Sequence, residues 1–156
     1  MQLYLLRHGQ AETQAPTDSQ RPLTQVGRNQ VADIAAQWGQ EATAVNAIWV
    51  SPYLRTRQTL AVLQDHCKLT APVLETEHLT PGAKPRTLLT QLEQRFQDAD
   101  DAVVLMVTHL PLVADFASLL TATEIPFLQT AEMLKISLPW IHEGVGECQW
   151  RRLGTA

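Results

Sequence analysis

The chain has 156 residues, 45% apolar and 18% charged, with a formal net charge of −4. That length suits one domain spanning residues 1–156 with a full core, and the acidic balance leaves no basic footprint for nucleic acid. No apolar run approaches the ~18 residues of a membrane span, and with a negative net charge any anion the chain binds must be met by a local arginine cluster. The apolar stretch at 3–6 is too short for the core of a signal peptide and lacks a basic lead. Cys67 and Cys148 provide neither a disulfide framework nor metal-ligand spacing and read as buried structural thiols, so a reducing cytoplasm is the expected setting.

Residues 2–6 (Gln-Leu-Tyr-Leu-Leu) are a nearly continuous apolar run, as in a strand buried on both faces. Arg7, His8 and Gly9 follow at its carboxyl end, where open α/β sheets bind ligands. Gly9 has no side chain, so the chain can turn there and other groups can approach His8. Taken alone, a histidine placed like His8 is more often a structural hydrogen-bonder than a catalyst. Residues 10–23 form a polar loop over this strand end, and Arg21 within it reads, on spacing alone, as a solvated charge. Thr24 suits the N-cap of a helix in which Val31, Ile34, Ala35 and Trp38 share a face, and Gly39 stops it.

Ala47–Val50 is a second buried strand, and Ser51-Pro52 reads as N-cap and first position of the next helix. Arg55 then lies in the first turn on the sheet's ligand side, with Arg57 about 200° further round. Nothing local decides whether Arg55 serves a ligand or pairs with a surface carboxylate. Val73–Glu75 reads as a short strand, 79–82 as a turn, and 86–97 as an amphipathic helix with Leu88, Leu89, Leu92 and Phe96 inside. Ala102–Val107 is the most strand-like run and must be central. Thr108, His109, Leu110 and Pro111 follow it, and Pro111 opens a helix over 111–121 whose N-terminus favours an anion. Leu134, Ile136 and Leu138 alternate with Lys135 and Ser137. A strand over 148–153 follows through the 143–146 turn, as an antiparallel edge hairpin.

Strand then helix, three times over, predicts an α/β fold: three layers, with a mainly parallel central sheet, helices on both faces and an antiparallel C-terminal edge hairpin. Neighbouring strand ends then bring Arg7, His8, Arg55 and His109 together. Two guanidinium forks and two helix N-termini suit a tetrahedral oxyanion. A neutral imidazole, its pKa lowered by flanking positive charge, is a nucleophile toward phosphorus. A second, protonated imidazole and the arginines would hold the oxygens. A zinc site is the weaker alternative, since the motifs offer no carboxylate or thiolate partner and the arginines would repel the metal. No cofactor is expected.

Together, Arg7-His8-Gly9, Arg21-Pro22-Leu23-Thr24 with Gly27, Ser51-Pro52-Tyr53-Leu54-Arg55 and Thr108-His109 resemble the motifs of the histidine phosphatase superfamily, also called phosphoglycerate mutase-like. The resemblance runs in order from residue 1 to about 121. The short length, Leu79-Thr80-Pro81-Gly82 and His109-Leu110-Pro111-Leu112 look most similar to the SixA-type phosphohistidine phosphatases. It implies a metal-independent phosphatase in signal transduction, with His8 as the nucleophile that becomes phosphohistidine. By the same resemblance Arg7, Arg55 and His109 form the phosphate pocket and Arg21 adds to its rim.

One departure carries information. Larger members place an acid shortly after the position of Leu79, as proton donor to a leaving alcohol. Here Thr80, Pro81 and Gly82 follow, while Glu75, Glu77 and His78 precede. An alkoxide needs a general acid, whereas an imidazole leaving a phosphoramidate needs far less help. The expected substrate is therefore phosphohistidine in a protein, which the resemblance narrows to a histidine phosphotransfer domain or a histidine kinase. No insertion is long enough for a cap, so the pocket is expected to be shallow and open, as suits a protein side chain. The alternatives are a small-molecule phosphomonoesterase of the same superfamily and a non-catalytic phosphoprotein-binding module. The absent acid weighs against the first, and the presence of both histidines against the second.

Overall fold

Strands that are apolar at successive positions must be covered on both faces, and this requirement sets the layers. The computed structural model describes residues 1–156. Its strands are β1 (Gln2–Arg7), β2 (Ala47–Val50), β3 (Val73–Glu75), β4 (Val103–Thr108), β5 (Glu132–Ser137) and β6 (Glu147–Leu153). Its helices are α1 (Gln25–Trp38), α2 (Leu54–His66), α3 (Pro85–Phe96) and α4 (Leu112–Thr121). The sheet runs β3-β2-β4-β1-β5-β6. Its first four strands are parallel, whereas β5 runs antiparallel to β1 and pairs with β6 as the edge hairpin.

Alternation divides the core. Tyr4, Leu6, Ile48, Val50, Leu105 and Val107 meet Val31, Ile34, Trp38, Leu60 and Leu63 of α1 and α2 in a cluster of 18 buried residues. Leu3, Leu5, Trp49, Val104 and Met106 face the other way and join Leu88, Leu92, Phe96, Phe116 and Leu120 of α3 and α4 in a cluster of 21. The two faces are loaded almost equally, and each fully buried leucine contributes roughly 1.5–3 kcal/mol, so neither helix layer is dispensable. No helix is long and apolar enough to cross a membrane.

Capping follows the sequence at α1, where the Thr24 hydroxyl accepts from the Gly27 amide and Gly39 closes the helix at φ 57°. At α2 it does not. Ser51 and Pro52 are not the cap and first turn; the helix begins at Leu54, with Tyr53 in extended conformation before it. The Ser51 hydroxyl is instead engaged across the sheet by the His109 ring, so the chain leaves β2 extended and turns two residues later. The cysteines also differ from expectation. Cys67 is only half-buried and Cys148 is exposed, because β6 is an edge strand with much of its surface open to solvent.

The turn after β1 depends on two glycines facing each other. A Cβ on Gly9 would lie 2.6 Å from the Gly27 carbonyl oxygen, and one on Gly27 would lie 2.0 Å from that of Gln10. Backbone, not a flexible side chain, is the obstacle in both cases, so helix α1 can seat against the strand end only without side chains here. Gly27→Ala is expected to lose about 1–3 kcal/mol of stability from this overpacking. Gly82→Ala, with no neighbour within 4 Å, should change it by no more than about 0.5 kcal/mol. Urea denaturation of the two variants tests the contrast.

Candidate active site

The order β2-β4-β1 puts three carboxyl ends in one row. Arg7 pairs in register with Thr108, and Val50 with Val107, so His8, His109 and Ser51 emerge side by side. The His8 and His109 rings lie 5.3 Å apart, edge to face. Arg55, on the second residue of α2, reaches back over the strand ends and donates from Nε to His8 Nε2 at 3.3 Å. All four expected groups, Arg7, His8, Arg55 and His109, meet here. They are more enclosed than a chain without a cap suggests: His8 is 6% exposed, Arg55 4% and His109 1%. The cover comes from the loop 10–23, which folds back onto Arg55.

Hydrogen bonding determines the His8 tautomer. Nδ1 lies 2.6 Å from the Gly9 carbonyl oxygen, which can only accept, and Nε2 faces Arg55 Nε–H, which can only donate. The proton therefore sits on Nδ1 and the lone pair on Nε2. Burial is the main cause that pushes the His8 pKa down to about 4. The Gly9 bond opposes the shift, and Arg55, Arg7 and Arg21 add to it. Positive charge does lower this histidine, as anticipated, but desolvation lowers it more.

His109 departs from the expected imidazolium. Burial, then the neighbouring His8 and Arg55, push its pKa down to about 2, so these surroundings hold it neutral. Its Nε2 is 2.8 Å from Ser51 Oγ. That oxygen also accepts from the Tyr53 amide at 3.3 Å, and with one proton and a second lone pair it can meet either tautomer of the ring. Tyr53 stacks edge-on against His109 at 5.0 Å and lies 5.0 Å from the Arg55 guanidinium. Arg7 donates from Nη1 to the Leu128 carbonyl at 2.8 Å.

Four buried side-chain polar atoms lack a protein partner, and two of them are Arg7 Nε and His109 Nδ1. An unpaired buried donor costs about 1–3 kcal/mol. An arginine N–H and a ring nitrogen without protein partners, at the strand ends that carry His8, mark a place for the oxygens of a ligand.

The sequence reading missed Asp18. Its backbone oxygen accepts from Arg55 Nη1 at 2.7 Å, and its carboxylate accepts from Arg55 Nη2 at 3.2 Å and from Arg21 Nη1 at 2.9 Å. Arg21 thus stands at the rim, linked to Arg55 through Asp18. Arg21 first, and then Arg55, hold the Asp18 carboxyl below the usual range. It stays ionised and is a poor proton donor. The only signal for it was an acid three residues before an arginine in a loop.

The alternative donors lie elsewhere. Glu75 pairs with Arg57 at 3.6 Å, Glu77 is exposed, and His78 faces a concavity shared with Trp49 and Leu74. Leu79 itself is anchored beside the site, its carbonyl accepting from Thr108 Oγ1 at 2.7 Å. No three histidine, cysteine, aspartate or glutamate side chains gather in a metal-binding cluster.

Known proteins match this arrangement. The sequence model of the histidine phosphatase superfamily (branch 1) matches residues 3–80. Phosphohistidine phosphatase SixA of Escherichia coli K12 is 32% identical over 153 residues, covering 97% of this chain and 92% of that protein. A SixA homolog of Haemophilus influenzae is 31% identical over 76% of each chain. A solved structure of the protein histidine phosphatase SixA complexed with tungstate superposes with a TM-score of 0.88 at 29% identity, covering 99% of this chain and 97% of that one. The chain belongs to the histidine phosphatase superfamily, branch 1.

Proposed function

We propose that this chain is a protein phosphohistidine phosphatase in which His8 Nε2 attacks phosphorus and becomes transiently phosphorylated. The observation that carries the reading is the meeting of an acceptor-only Nε2 with two unpartnered buried nitrogens, Arg7 Nε and His109 Nδ1. Tungstate in the similar SixA structure is a tetrahedral oxyanion of the kind these groups suit. Homology to SixA supports a phosphorylated protein as substrate. Within that class we infer a histidine phosphotransfer domain, or a histidine kinase, of a cytoplasmic phosphorelay.

The atoms balance without an added acid or base. The substrate ring, protonated on its far nitrogen, leaves as neutral imidazole as its N–P bond breaks. His8, already carrying a proton on Nδ1, becomes the phosphoimidazolium, with that proton held by the Gly9 carbonyl. One P–N bond replaces another, so this step is near thermoneutral. Water then attacks phosphorus and the His8 N–P bond breaks. Neutral His8 returns and dihydrogen phosphate departs with both water protons. His8 Nε2 gives up its bond from Arg55 Nε–H to take phosphorus, and Arg7, Arg55 and His109 hold the phosphoryl oxygens, the electrostatic task that dominates phosphoryl transfer.

The direct test is phosphoryl release from a phosphorylated histidine phosphotransfer domain in EDTA. Wild type should release phosphate, and His8→Ala should be slower by at least about a thousandfold, the scale of losing a covalent nucleophile. Metal-dependent release, or faster cleavage of sugar phosphates, would sink the reading.

The depressed histidines also predict an acid-sensitive fold. Below the unfolded pKa of about 6.5, the unfolded chain takes up protons that folded His8 and His109 refuse. Stability therefore falls as pH drops from about 6.5 toward the folded pKa values of about 4 and about 2. Between pH 7 and pH 5, chemical denaturation of wild type should show a loss on the order of 1–2 kcal/mol per histidine. His109→Gln should flatten the dependence; an unchanged slope would contradict the assigned neutrality.

A further inference from the structure

Phe127 is an exposed aromatic beside buried catalytic groups. Its ring is 53% exposed, and the Arg7 guanidinium lies 5.6 Å from its centroid. The other large exposed aromatic, Trp140, follows antiparallel β5 at the opposite end of the sheet. The segment carrying Phe127 is pinned. Its carbonyl accepts from Arg151 at 3.0 Å, the next carbonyl accepts from Arg7 at 2.8 Å, and the Ala131 amide bonds the carbonyls of both Arg7 and His8. Leu128 is wholly buried. The ring is therefore presented to solvent on a fixed backbone.

Strand order places a second aromatic opposite. Tyr53 follows β2 and leans on His109, while Phe127 precedes β5. The His109 and His8 strand ends, β4 and β1, lie between them. Building on the phosphohistidine reading, we propose that Phe127 and Tyr53 wall a slot for the substrate imidazole, with Phe127 as the specificity-determining face. In an in-line displacement the leaving nitrogen lies across phosphorus from His8 Nε2, toward solvent, and Phe127 is an exposed aromatic within 5.6 Å of the Arg7 guanidinium. The leaving ring is planar and, when protonated, cationic, so an aromatic face attracts it through stacking and its quadrupole. An alkyl phosphate gains nothing comparable.

Phosphoramidate separates the two parts of this idea, because it has the P–N bond and no ring. The experiment compares kcat/KM for free phosphohistidine and phosphoramidate in wild type, Phe127→Leu and Phe127→Ala; the exposed position makes both variants safe to fold. Phosphohistidine should lose about tenfold with alanine and a smaller factor with leucine, while phosphoramidate stays within about twofold. Equal losses on both substrates would mean that Phe127 acts through Arg7, and no loss on either would mean that it makes no contact; each overturns the slot. A loss confined to a phosphorylated protein, sparing free phosphohistidine, would make Phe127 a protein-docking contact and also overturn it. A wild-type enzyme inactive on phosphohistidine, free or in a protein, would sink the parent reading and this one together.

Discussion

The site depends on one buried guanidinium. Arg55 is almost wholly removed from water, and a charge so placed needs hydrogen-bond partners, which three of its five N–H groups find within the protein. Its Nε–H goes to His8, and Nη1 and Nη2 go to the backbone and carboxylate of Asp18. Each bond has a consequence beyond Arg55. The first leaves the His8 lone pair on Nε2, and the others fold the loop 10–23 over the pocket and bring Arg21 to its rim. A side chain that began as an ambiguous first-turn arginine turns out to organise three segments distant in sequence.

That guanidinium can be placed so accurately because the backbones beneath it are tied together. The Thr59 hydroxyl donates to the Arg55 carbonyl at 2.7 Å and accepts from the Gly9 amide at 3.1 Å. Helix α2 is thereby joined to the residue that follows His8. On the other side, Gly9 rests against Gly27 of α1 without an intervening side chain. The end of β1 is held between the two helices of one layer, and the imidazole can be buried at little cost in mobility because its backbone was immobile already. Burial then lowers its proton affinity, so the packing that makes the fold also keeps the nitrogen unprotonated.

Much of this was legible in the sequence, and the omissions have a common cause. Apolar runs such as 2–6 and 102–107 reveal buried parallel strands, and strand order then brings Arg7, His8, Arg55 and His109 to one edge almost without further assumption. Local signals failed where a side chain had two possible partners. Ser51 before Pro52 has the form of a helix cap, yet its hydroxyl bonds a histidine 58 residues away, which no local pattern encodes. Asp18 sat in a polar loop, set apart from Glu12 only by an arginine three residues on. Phe127 interrupts no periodicity. The enclosure of Arg55 was not legible either, since Asp18 reaches it from a loop 37 residues away.

Asp18 bears on substrate choice more than its late discovery suggests. The segment after Leu79 has no acid, and a reader of the structure would turn to the one carboxylate that is in the site. That carboxylate is engaged by two arginines, which keep it ionised, and giving up a proton is the one thing it cannot do. A leaving alkoxide would therefore find no donor, while a leaving imidazole can carry its own proton on the far ring nitrogen. His109 fits the same logic: burial, then His8 and Arg55, lower its pKa, so it does not stand ready as a protonated acid. Asp18 is held ionised and His109 neutral, so neither is a ready source of a proton. Such a site is suited to exchanging one P–N bond for another, and it has little to offer a phosphate ester.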